Sequence, residues 1–327
     1  MSSRSSLAVA AVFAAVACME ADGQPPASVP SFRFQNNFWV SLHHTLRGEA
    51  RRREVRGPAL IKTEALKPEE RLPWTSALDI YAPYSRLDLV TDAGLIRINN
   101  VLTRLRDDAW LERVAGLDAA ARRGLSIAAP VYRAHFWAAQ QQLNDHWIAS
   151  LQPAMDAHAS AMAAALAHAY RVEWPDLPLI VDAASEAGPN GAYSTDGPAG
   201  TLGHTTVEAA SSGLQGDMAF EMIFHEASHR IAGLQLARAV DAEAARQHVA
   251  APRDLSHTII FYTAGELAKR ELGKAGDAGY KPYAYRYGLY TSGWQKLRDA
   301  LERDWLPYLA GASSWDDALA ALVRDAS

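Results

Sequence analysis

The pattern with the clearest chemical use in this 327-residue sequence is His225-Glu226-Ala227-Ser228-His229, an H-E-x-x-H run. On a helix, residues four apart differ by about 40° around the axis and lie one turn apart along it. Two imidazoles placed that way can grip one cation from the same side, and Zn2+ is the ion that suits them. Glu226 falls about 60° from His229 on the same wheel. It is positioned to take a proton from a water activated by the cation, which is the work of a general base. The chemistry this implies is attack of activated water on a polarised carbonyl.

The elements around the run must hold it in place. Phe220, Ile223, Ala227, Ile231 and Leu234 form an apolar stripe that would bury the back of the helix. A strand-like segment, Gly203 to Glu208, comes just before it. A third ligand has two candidates on a helix read from Leu255 to Leu272, Glu266 and His257. Nine residues separate them, about 13 Å of rise and opposite helix faces, so only one can meet the metal. Glu266 is preferred because it ends the apolar, aromatic run that begins at Ile259, where a buried carboxylate needs a partner. Gly265 beside it allows a close approach. A donor for the oxyanion of a tetrahedral intermediate is sought in Tyr283 or Tyr285, with Tyr283 taken as the candidate. Glu221, one turn before His225, is read either as orienting an imidazole or as facing solvent. Of the doublet His43-His44, one residue is a candidate for facing the cleft; His135 and His146 are read as core or surface histidines.

Taken together, His225, Glu226, His229 and the distal Glu266 resemble the gluzincin metallopeptidases. The resemblance covers about Gly203 to Glu266 and rests on three short elements. It implies a zinc bound by His225, His229 and Glu266, Glu226 as base, a peptide or protein substrate, and an edge strand holding that substrate beside the active-site helix. The metzincin pattern fails, because Ala232 and Gln235 stand where it needs Gly and His. The spacing from His229 to Glu266 exceeds that of thermolysin-like or aminopeptidase patterns, and the usual flanking Asn is missing. These departures point to a divergent, exported bacterial family. A second reading from another class is a cell-envelope binding lipoprotein with a structural or vestigial zinc site.

The rest of the chain frames this site. With 49% hydrophobic and 21% charged residues, it has the makings of a globular protein with a sizeable core. A net charge of -5 gives no electrostatic case for nucleic acid. Arg4, the apolar run from Leu7 to Ala17 and the small residues at its end read as a signal peptide over 1–17, so export to the periplasm, outer membrane or medium is expected. Cys18 follows directly and is the only cysteine, which makes lipidation and membrane attachment through it an open alternative to secretion and excludes an intrachain disulfide. Residues 18–31 read as a flexible leader. An N-terminal helical region over 32–172 and a zincin-like catalytic region over 173–327 follow. Helices are expected from about Pro130 to Leu151 and from Pro153 to about Tyr170. Between them and the H-E-x-x-H helix, Leu177 to Val181, Ala192 to Thr195 and Gly203 to Glu208 read as a small antiparallel meander. The fold class expected is α+β, predominantly helical.

Overall fold

A computed structural model describes residues 30–326 apart from 61, 189, 275, 277 and 278. The proposed signal peptide, Cys18 and nearly all of the leader lie outside the described residues. Among the described residues the first elements are β1 (Phe32–Gln35), α1 (Phe38–Glu54), α2 (Pro68–Tyr81), α3 (Ala93–Leu102), α4 (Ala119–Tyr132) and α5 (Ala138–Tyr170). Next come β2 (Leu179–Ala184), β3 (Ala192–Thr195) and β4 (Gly203–Glu208). The remainder is helical: α6 (Asp217–Ile231), α7 (Gly233–Arg246), α8 (Leu255–Lys274), the short α9 (Tyr283–Arg286), α10 (Gln295–Ala300), α11 (Leu306–Leu309) and α12 (Trp315–Ala326). The α+β class with helix in the majority matches the expectation.

Local chemistry accounts for several of these boundaries. The Asn37 side chain accepts hydrogen bonds from the amides of Trp39 and Val40 and so starts α1. Asp92 and Asp118 do the same for α3 and α4. α5 is one continuous helix, although Pro153 was expected to begin a new one. Its neighbours α6, α8 and β2 bury one face from Trp147 to Tyr170, and that packing offsets the hydrogen bond the proline removes.

The sheet differs from the expected antiparallel meander. Its order is β1-β2-β4-β3; β1 with β2 and β2 with β4 run parallel, and only β3 with β4 is antiparallel. The chain crosses over through α1 to α5 between β1 and β2, and a connection of that length permits parallel pairing. β2, buried at every position, carries the near-continuous apolar run of a strand covered on both faces.

Two cores flank this sheet. One gathers α1 to α4 around Phe38, Trp74, Tyr81 and Tyr132, and it includes Tyr193 of β3. The other gathers α5 to α12 around Trp147, Phe220, Phe224 and Trp305. Adjacent strand residues point to opposite faces, so Ala192 joins the second core while Tyr193 joins the first. Between Tyr193 and the helices lies a buried polar seam. Asp182, wholly buried, accepts from Gln35 (3.0 Å), Thr103 (2.5 Å) and His204 (2.6 Å). No helix among the described residues is long and apolar enough to cross a membrane.

Candidate metal centre

α6 is buried along nearly its whole length, from Met218 to Ser228. Gly216, at φ 53°, turns the chain into it, a backbone conformation that L side chains rarely adopt. Phe220, Ile223 and Ala227 sit in the core, as the expected stripe requires. Leu234 does not belong to the stripe: α6 ends at Ile231, and Leu234 lies exposed on α7. The helix passes beside β3, where the Ser194 hydroxyl donates to the main-chain carbonyl of Glu226 at 3.2 Å.

His225, His229 and His257 converge, each offering one ring nitrogen, all within 4.8 Å of one another. The Nε2 atoms of His225 and His229 are 3.1 Å apart. Two nitrogens on one tetrahedral zinc stand about 3.3 Å apart for bonds of 2.0–2.1 Å, so this pair needs almost no adjustment to share an ion. His257 comes from the first turn of α8, which crosses α6, with ring centroids 5.5 Å from His225 and 5.0 Å from His229. Burial, then the neighbouring imidazoles, holds the His225 pKa well below the ordinary value of 6.5. Burial with the repulsion of His257 and Arg230 takes His229 down to about 3, and His257 is lowered chiefly by burial. Neutral imidazole is the form that binds a cation. These residues fit a divalent metal.

Glu266, the expected third ligand, is not part of the converging group, and His257 stands there in its place. Glu266 sits two and a half turns further along α8, beside Lys269 at 3.8 Å and close enough to Glu221 for the two charges to repel. His257 and Glu266 share a helix but not a face, and the crossing of α8 over α6 brings the His257 face to the site. Gly265 does permit a close approach, but of a loop: a Cβ there would come within 2.8 Å of Pro282.

Aromatic rings pack the site. Phe261 lies on His225 with centroids 3.8 Å apart, and Trp294 contacts both His257 and Phe261. The Nδ1 atom of His225 has no hydrogen-bond partner, so the Phe261 contact takes the orienting part that a carboxylate or carbonyl often plays. Tyr283 stacks on Phe261 with ring centroids 6.3 Å apart, and its amide donates to Glu221 at 2.9 Å. Tyr285 is engaged elsewhere, donating its hydroxyl to Glu302. Glu221 faces neither solvent nor an imidazole hydrogen bond. It is buried and accepts from the Tyr280 hydroxyl (2.6 Å) and the Tyr283 amide, tying the loop that carries Tyr283 to α6. Burial pushes the Glu221 carboxyl up to about 7. Burial likewise raises Glu226 to about 7.

The remaining histidines separate from the site. His43 bonds Tyr81 and His44 bonds Tyr193 in the N-terminal core, while His135 pairs with Glu70 and His146 is exposed. Sequence reasoning passed over the His204–Asp182 pair, which no local spacing marks, since the two residues meet only through the β2–β4 register. No family model matches the chain, and neither the curated proteins nor the solved structures contain a significant match to it.

Proposed function

We propose that this chain is a zinc-dependent hydrolase of peptide bonds, with His225, His229 and His257 as metal ligands and Glu226 as general base. The observation that carries the reading is the convergence of three neutral imidazoles, with Glu226 following the first of them on the same helix. A bound divalent cation would supply Lewis acidity, polarising a carbonyl and making water acidic near neutral pH. Glu226 then removes the proton from the attacking water and returns it to the departing amine. Phe261 and Trp294 exclude bulk water from the imidazoles, and Tyr283, whose ring stacks on Phe261, is the residue proposed to steady an oxyanion.

One feature favours this over a structural zinc site: structural sites close with four protein ligands, whereas the group assembled by the described residues has three. The edge strand that the gluzincin resemblance implies for the substrate is not β4, which is interior to the sheet, and β3, at the edge, is buried at all four positions.

The test is Glu226→Gln in the purified protein loaded with zinc. Peptide-library cleavage should fall by about 10²- to 10⁴-fold, with zinc still bound at one per chain. Cleavage unchanged in that variant ends the hydrolase reading.

A further inference from the structure

On the sheet face away from α6, a cavity of about 910 Å³ opens between α1, the segment 85–90 and the loops leaving β2 and β4. The opposite placement follows from strand alternation: Tyr193 lines this cavity, while its neighbour Ser194 bonds α6. The carboxyl ends of parallel strands are where open sheets bind ligands, and the volume suits a small molecule.

Its α1 wall carries two donors one turn apart. Arg47 is only 7% exposed, yet it forms no ion pair among the described residues. Its Nε and Nη2 donate to the carbonyls of Tyr84 (3.1 Å) and Leu87 (2.9 Å), and Nη1 has no partner among them. Asp88 and Asp92 act on it only through space, and a buried guanidinium with no carboxylate in direct contact has room for a bound anion. His44 supplies the second donor. The Tyr193 hydroxyl oxygen accepts from Asn99 (2.7 Å) and Thr206 (3.2 Å), so its own proton goes to Nε2 of His44 at 3.1 Å. The His44 proton is therefore on Nδ1, where no acceptor among the described residues meets it. Elsewhere the wall is apolar, and at the mouth Leu60, Leu87 and Val90 are exposed at 59%, 39% and 48%. Of the lining cations, Arg51 and Arg86 both pair with Glu54, and Arg52 with Glu49 and Glu186, which leaves Arg47 as the arginine with no ion pair among the described residues. One such cation suits a monoanion better than a dianion.

We infer that this cavity binds a small monocarboxylate with an apolar body, its carboxylate held by Arg47 and His44 and its chain lying on Leu60, Leu87 and Val90. The site is separate from the metal centre and does not depend on it.

Calorimetric titration of the purified chain with hexanoate, in the presence of EDTA, tests the assignment; acetate, butanoate and inorganic phosphate serve as parallel probes. Hexanoate should bind saturably at one per chain, each added methylene tightening binding about fourfold. Arg47→Gln should weaken hexanoate about 10- to 100-fold. Should that variant not fold, two substitutions at exposed positions decide: Arg51→Glu should weaken every carboxylate, and Val90→Asp should flatten the dependence on chain length. No saturable binding of hexanoate, tighter binding of phosphate than of hexanoate, wild-type affinity in Arg47→Gln, or wild-type behaviour in both exposed-site variants overturns the inference.

Discussion

Replacing His257 by Ala, beside Glu266→Gln as its counterpart, separates the two third-ligand assignments. Apparent zinc binding by four-ligand sites amounts to about 10–16 kcal/mol, or roughly 2.5–4 kcal/mol per ligand. His257, within 4.8 Å of both partner imidazoles, is one of three, so its removal should weaken zinc about 10²- to 10³-fold. Glu266 lies outside the group and next to Lys269, and its conversion to Gln should leave affinity within about threefold. Competition against a chelator of known affinity reads both values directly. A thermal assay supplies an independent check through mass action. Zinc at one hundred times the wild-type dissociation constant stabilises by about 2.7 kcal/mol, and the same free zinc should give His257→Ala less than about 0.5 kcal/mol. If Glu266→Gln loses the ion and His257→Ala keeps it, the three-imidazole centre is refuted and the distal carboxylate restored.

Three further outcomes follow from contacts around the centre. Glu221 has a folded pKa of about 7 because it is buried, above its ordinary 4.5, so its contribution to stability is full below pH 4.5 and is lost as pH rises through 7. Glu221→Gln should remove about 3 kcal/mol of that loss, seen in urea midpoints at pH 5 and pH 8; identical pH dependence in the variant would contradict the assignment. Gly265→Ala places a Cβ within 2.8 Å of Pro282 and 3.2 Å of Glu221 Oε1, and should destabilise by about 1–3 kcal/mol in urea denaturation while displacing the Tyr283 loop. Asp182→Ala takes the buried acceptor from His204 and Thr103, and should lower urea stability by about 3–5 kcal/mol without releasing zinc.

What could be read from the chain without its fold divides along physical lines. β3 and β4 have the bounds that their β-formers suggested, and α8 starts at Leu255 as its periodicity implied. These elements announce themselves through local composition. β1 did not, because Phe-Arg-Phe-Gln is four residues long and owes its strand state to β2, whose Leu179 to Asp182 pair with it across 147 positions of sequence. The parallel sense of the sheet is equally non-local: nothing in Ala192 to Thr195 says that β4, not β3, will lie beside β2.

The third ligand shows the same division within one helix. Nine residues put His257 and Glu266 on opposite faces, so the sequence reduces the question to which face of α8 meets α6. Composition near Glu266 favoured the face away from the converging imidazoles, because an acid amid Ile259, Phe261 and Tyr262 looks as though it needs a cation. That apolar run in fact packs into the core, and Phe261 covers His225. The acid with a buried task is Glu221, which settles a hydroxyl and an amide and needs no metal. A buried carboxylate thus identifies a demand for partners but not their kind, and the hydrogen-bond donors of a loop more than fifty residues away meet it as well as an ion would.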